Sequence, residues 1–126
     1  MTGLPCTCHP DDALNCRENV YYSPEHFRLT SVGEIAASDG GYEFDTFAIW
    51  TDPATGEYLW ADDSGCSCPT PFEDVECKRG TARDVMIDLD AWIDADYSQG
   101  QRAREVHRLR DAPWMRALVE RAGVYR

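Results

Sequence analysis

The sequence predicts an α+β fold: a three-stranded antiparallel β-meander over about residues 30–62, then a cysteine- and proline-rich loop, then two to three C-terminal helices. Three observations carry this. Aromatic and β-branched runs separated by Asp/Gly turns fill the middle of the chain. Apolar residues recur at helical spacing after residue 81. Strands come first and helices follow, the order of α+β proteins. The 126 residues make one domain, 1–126, with an irregular arm at 1–20, a β-rich part at 21–80 and a helical part at 81–126.

The elements follow in order. The arm, with Cys6, Cys8, His9, Pro5 and Pro10, has no periodicity. Ser23 followed by Pro24 signals a short helix through Phe27, because proline is preset for the first helical position. Thr30 to Ala37 reads as a strand, and Ser38-Asp39-Gly40-Gly41 supplies turn chemistry. Tyr42 to Trp50 is the second strand. Its early alternation, Tyr42 and Phe44 against Glu43 and Asp45, marks one wet face, whereas Phe47-Ala48-Ile49-Trp50 is apolar on both faces. Asp52-Pro53-Ala54-Thr55-Gly56 turns the chain into a third strand, Glu57 to Asp62. From Ser64 to Gly80 nothing is periodic, and Pro69 and Pro71 cannot donate to a ladder. Thr81 with Asp84 three residues on opens a helix in a capping-box arrangement. Val85, Met86, Leu89, Trp92 and Ile93 form its apolar stripe. Ser98 to Gln101 starts a second helix that runs to about Arg110. A third begins near Pro113, buries Trp114, Met115, Leu118 and Val119, and stops at Gly123.

Charge bounds the partners. The chain holds 12 Lys+Arg against 23 Asp+Glu, a net −11. That argues against non-specific nucleic-acid binding and against an anionic membrane surface. No apolar run approaches the ~18 residues of a transmembrane helix, so no membrane is expected. The N-terminus shows no basic-then-apolar secretory pattern. The balance is uneven: residues 1–100 hold 20 acids and five bases, a net −15, and residues 101–126 hold three acids and seven arginines, a net +4. Packing of the basic segment beside the acidic body explains this, as does docking on a basic partner.

The six cysteines fall in two clusters, Cys6, Cys8 and Cys16, then Cys66, Cys68 and Cys77. In a reducing compartment, thiols clustered in loops point to zinc, which takes four Cys/His ligands. One set is Cys6, Cys8, His9 and Cys16; another is Cys66, Cys68 and Cys77 with a ligand from the arm. Both close pairs are Cys-x-Cys, shorter than the usual knuckle, so free or buried thiols and disulfides stay open beside a structural zinc.

Other motifs fall short. Asp94-Ala95-Asp96-Tyr97-Ser98 with Glu105 copies part of a calcium loop, but Gln99 stands where glycine is needed. Asp62 and Asp63, as neighbours on a strand, point to opposite faces and cannot share a proton. His9, His26 and His107 show no spacing that ties one to a thiol nucleophile. No phosphate-cradling loop and no nucleophile elbow is present. A non-enzymatic role is expected.

Two stretches carry a resemblance. One is Tyr21-Tyr22-Ser23-Pro24-Glu25-His26-Phe27 with Ser38-Asp39-Gly40-Gly41-Tyr42-Glu43-Phe44-Asp45; the other runs from Trp60-Ala61-Asp62-Asp63-Ser64-Gly65-Cys66-Ser67-Cys68 through Pro69-Thr70-Pro71-Phe72-Glu73-Asp74. They resemble a family of small uncharacterised proteins encoded by phages of actinobacteria. The resemblance implies expression in a bacterial host cytoplasm and assigns no catalytic residue. The expected role is binding of a host or phage protein through the loop around Ser64 to Asp74, with Tyr58, Asp62, Asp63, Phe72, Glu73 and Asp74 as the partner-binding residues; packing in the core is the alternative for the aromatics Tyr58 and Phe72. The alternatives are a structural or assembly protein of the virion and a DNA mimic whose carboxylates replace phosphates.

Overall fold

A computed structural model describes residues 19–38, 43–66, 72, 76–96 and 100–123, with Cys66 described by its backbone. Four strands form one sheet: β1 (Thr30–Ala36), β2 (Glu43–Thr51), β3 (Tyr58–Cys66) and β4 (Lys78–Gly80). They lie in the order β1-β2-β3-β4, each antiparallel to the next. Helices α1 (Ala82–Asp94), α2 (Gln101–Arg108) and α3 (Pro113–Ala122) follow. The fold is α+β, as the order of patterns predicts.

Two features correct the expectation. The third strand continues past Asp62 to Cys66, pairing Ser64 with Asp45 and Gly65 with Phe44. A fourth strand, Lys78–Gly80, adds to β3 inside the stretch that reads as aperiodic. Its side chains carry no apolar alternation because ion pairs hold it. Lys78 Nζ reaches Asp88 at 2.9 Å, and Arg79 bridges Asp52 and Glu57, each at 3.0 Å.

The sheet is buried on both faces. On one, Ile35, Phe47, Ile49, Tyr58 and Trp60 meet Val85, Leu89, Met115 and Leu118 of the helices. On the other, Ala48, Trp50, Leu59 and Ala61 are covered by Val20, Phe27, Leu29 and Phe72. The run Phe47 to Trp50 is therefore apolar throughout because β2 is an interior strand with a core on either side. The second core takes its cover from Val20 and the 3-10 helix Pro24–Phe27 with Leu29.

Local signals set the helix boundaries. Thr81 accepts from the Asp84 amide at 3.2 Å while Asp84 accepts from the Thr81 amide at 3.0 Å, a reciprocal cap that satisfies two orphan donors. Gly100, with φ 92, begins α2, and Gly123, with φ 69, ends α3. Glycine enters these left-handed regions at no steric cost. Helix α3 comes so near β1 that a Cβ on Gly33 would sit 2.4 Å from the Trp114 ring. The ridge between β1 and α3 therefore closes only over glycine.

Candidate functional site

The aromatic residues expected at a binding surface lie in the cores instead. Tyr58 is 7 % exposed and belongs to the helix-side core, where its hydroxyl accepts from Arg121 at 3.2 Å. Phe72 is fully buried on the other face, stacked on Tyr21 at 4.9 Å and edge-on to Trp50 at 6.2 Å. The reason is local. Asp63 accepts the Phe72 backbone N–H at 2.9 Å, and Phe72 takes a left-handed φ of 64; at this residue the chain returns to the sheet with the ring against it. Large aromatics bring enough apolar area to make that return favourable.

Asp62 and Asp63 do point to opposite faces. Asp63 holds Phe72 on the second-core side, while Asp62 borders a cleft with Lys78, Asp88, Trp92 and Arg102. Glu73, Asp74, Cys6, Cys8, His9, Cys16 and Cys68 lie outside the described residues, as does the Cys66 side chain. Among the described residues no group of three or more His, Cys, Asp or Glu side chains gathers to hold a metal.

Cys77 is half-buried against the second core. Burial pushes its thiol from 9.0 up to about 12, which keeps it neutral and apolar in character. The unfolded chain releases this proton at lower pH than the folded one. Stability linked to Cys77 is thus fully present below pH 9.0 and declines as pH rises toward about 12. In alkaline denaturation, Cys77→Ala should flatten that decline, and in the native protein Cys77 should alkylate far more slowly than an exposed thiol at pH 8. Rapid native-state modification of Cys77 would contradict the burial.

The charged cleft, about 310 Å³, is organised by Arg102. Arg102 is 9 % exposed and grips Asp45 with two hydrogen bonds, 2.7 and 2.9 Å. It also donates to the Trp92 carbonyl at 2.6 Å and lies 4.5 Å over the Trp92 ring. Its own amide donates to Asp96 at 3.0 Å, so part of the apparent calcium loop caps α2. Burial disfavours the guanidinium charge, but the bonds and charge of Asp45 outweigh it. At the other end, Asp88 accepts from Trp60 Nε1 at 2.7 Å and from Lys78. Burial works against the Asp88 charge, yet these two donors hold its carboxyl below the usual range. Arg102, Lys78 and Asp88 each have an intramolecular partner that ties strands to helices, so the cleft is chiefly a structural joint. The Asp62 carboxylate makes no hydrogen bond or ion pair among the described residues, and burial pushes it above the usual range despite the nearby charges of Arg102 and Lys78.

A different surface stays open. Met86 of α1, Val106 of α2, and Met115 and Val119 of α3 floor a groove of about 370 Å³, with Arg110, Arg116 and Glu120 at its rim. Arg104, His107, Arg108 and Arg110 line a shallow hollow beside it. The groove exists because α2 is short and polar and leaves the α1–α3 seam only partly covered. Arg116 is exposed and has no ion-pair partner among the described residues. Methionine floors adapt to varied apolar shapes. Neither Arg110 nor Arg116 is marked by motif or spacing; the net +4 of residues 101–126 is the one signal that points to this face.

No helix among the described residues is long and apolar enough to cross a membrane. Comparison with curated proteins and with solved structures finds no match. Residues 18–115, which span the sheet, the second core, the cleft and most of the groove and leave out Leu118 and Ala122 of the helix-side core, match the family described as domain of unknown function DUF7574, and the chain belongs to that family.

Proposed function

We propose that the protein is a non-enzymatic binding module encoded by a phage, which holds a host or phage protein in the host cytoplasm. The observation that carries the reading is the Met86–Val106–Met115–Val119 groove with Arg110 and Arg116 at its rim. An apolar floor with few placed charges is the usual design of a recognition site, and a groove between helices suits an amphipathic helix. The arginines select a partner segment that carries carboxylates beside its apolar residues. The binding surface therefore shifts from the loop after β3 to the helical face.

A structural zinc joining the cysteine clusters belongs to the same proposal. It draws support from Val20 and Phe72, which follow Cys16 and Cys68 by four residues each and cover the same sheet face. Metal analysis of protein purified without oxygen should find bound zinc; absence of metal, with the thiols other than Cys77 freely reactive, would exclude it.

Binding is tested by affinity capture from host lysate with the wild type and with Arg110→Glu/Arg116→Glu, both exposed positions. A partner retained by the wild type should be lost by the double variant and recovered less well at high salt. Identical retained sets would overturn the groove reading.

A further inference from the structure

A second pocket, unrelated to the helical groove, opens on the other side of the sheet. It holds about 410 Å³. Its floor is the β1–β2 pair, where Ser31 faces Trp50 and Glu34 faces Ala48. The small Ala48 leaves the depth. Tyr21 and Tyr22 form the wall, with ring centroids 5.0 Å apart and planes at 81°.

Three features define what fits. Tyr22 is 59 % exposed, an unusual exposure for a large ring that has a core within reach. The Tyr21 phenol lies beside the Glu34 carboxylate in the pocket, and burial together with that contact pushes the phenol well above its ordinary range. The phenol thus stays a proton donor toward the carboxylate, which has two oxygens and keeps acceptor capacity for a ligand. No Lys or Arg pairs with Glu34 among the described residues. Aromatic faces carry negative potential, so rings beside an unneutralised carboxylate select a cation. A planar guanidinium meets both demands, since it stacks on a ring while its fork bonds a carboxylate, whereas an ammonium is a hydrated point charge. The −15 body raises the local concentration of any cationic ligand.

We infer that the pocket walled by Tyr21 and Tyr22 and floored by Glu34, Ala48 and Trp50 binds the guanidinium of an arginine side chain presented by a peptide. The site is distinct from the groove of α1, α2 and α3 and stands or falls independently of it.

The test is a ¹H–¹⁵N titration of the full chain with acetyl-Gly-Arg-Gly-amide, alongside the citrulline and lysine counterparts. The arginine peptide should shift the amides of Tyr22, Gly33 and Glu34 in a saturable way. Citrulline, which is isosteric and uncharged, should not shift them, and lysine should bind more weakly. Glu34→Gln should weaken arginine binding by about 10-fold, through loss of a charge-assisted bond. Tyr22→Ala should weaken it by about 3-fold, through loss of an exposed cation–π contact. Both positions are solvent-exposed, and unchanged dispersion elsewhere in the spectrum shows that the fold is kept. Absence of shifts with the arginine peptide, equal response to citrulline or lysine, or an affinity unmoved by Glu34→Gln would each overturn the assignment.

Discussion

Replacing Arg102 by alanine is expected to destabilise the fold by about 3 kcal/mol, the lower end of the range for breaking a buried ion pair. The lower end applies because the Asp45 side chain keeps 18 % exposure and so retains some access to water when its partner leaves. Two further losses accompany the pair: the donor to the Trp92 carbonyl at 2.6 Å and the cover over the Trp92 ring. Both tie α2 to the end of α1, while Asp45 ties α2 to β2. The variant should therefore lose hydrogen-exchange protection first in α2 and the adjoining end of α1. Arg102→Lys should recover little, because an ammonium cannot make the two-pronged contact. Arg102→Met with Asp45→Leu should be less damaging than Arg102→Ala alone, since removing both charges strands neither. Urea denaturation of the four proteins checks this. Equal stability of wild type and Arg102→Ala would show that the pair contributes nothing.

Phe72→Ala is expected to cost about 3–5 kcal/mol, the range for truncating a fully buried phenylalanine. Phe72 is the main bulk over the β2–β3 half of the second core, against Tyr21, Trp50 and Leu59. Its loss leaves a cavity beside Trp50 and Tyr21, whereas the backbone N–H that donates to Asp63 is kept by alanine, so the cost is that of the ring. Phe72→Leu should cost about 1–2 kcal/mol, because more of the volume remains. Asp63→Ala should cost about 1–2 kcal/mol, by leaving the Phe72 backbone N–H without its acceptor. Thermal denaturation ranks the three. A Phe72→Ala protein as stable as Asp63→Ala would mean that burial of the ring supplies no more stability than the Asp63 hydrogen bond.

Periodicity made the helices and the first three strands legible. Thr81 with Asp84, Pro113 and Gly123 set helix ends by side-chain and backbone chemistry that acts within a few residues. The stripe from Val85 to Trp92 faces the sheet as its spacing requires. The fourth strand escaped because Lys78 and Arg79 are placed by ion pairs to residues up to 27 positions away, which no local pattern records. Asp45 misled for the same reason. Its alternation with Phe44 marks a wet face, yet that face carries α2, and the carboxylate is matched by an arginine 57 residues on. Tyr58 and Phe72 were drawn to the surface by their neighbourhood of turns and acids. Tyr58 is buried because it stands on the helix-facing side of β3, and Phe72 because a left-handed φ at a non-glycine residue sets its ring over the sheet, which sequence composition does not announce. The groove was visible only as charge: the arginines of residues 101–126 stand out, but the partial cover of α1 and α3 by α2 depends on helix packing.

The central claim is that the helical face receives an acidic amphipathic segment. Methyl-labelled methionine gives the direct readout, because Met86 and Met115 both line the groove. A short helical peptide with leucines at i and i+4 and flanking glutamates should shift the Met86 and Met115 methyl signals in the wild type. The same peptide should leave them unmoved in Arg110→Glu/Arg116→Glu. Signals that stay fixed in the wild type at millimolar peptide, or that move equally in the double variant, would contradict the account.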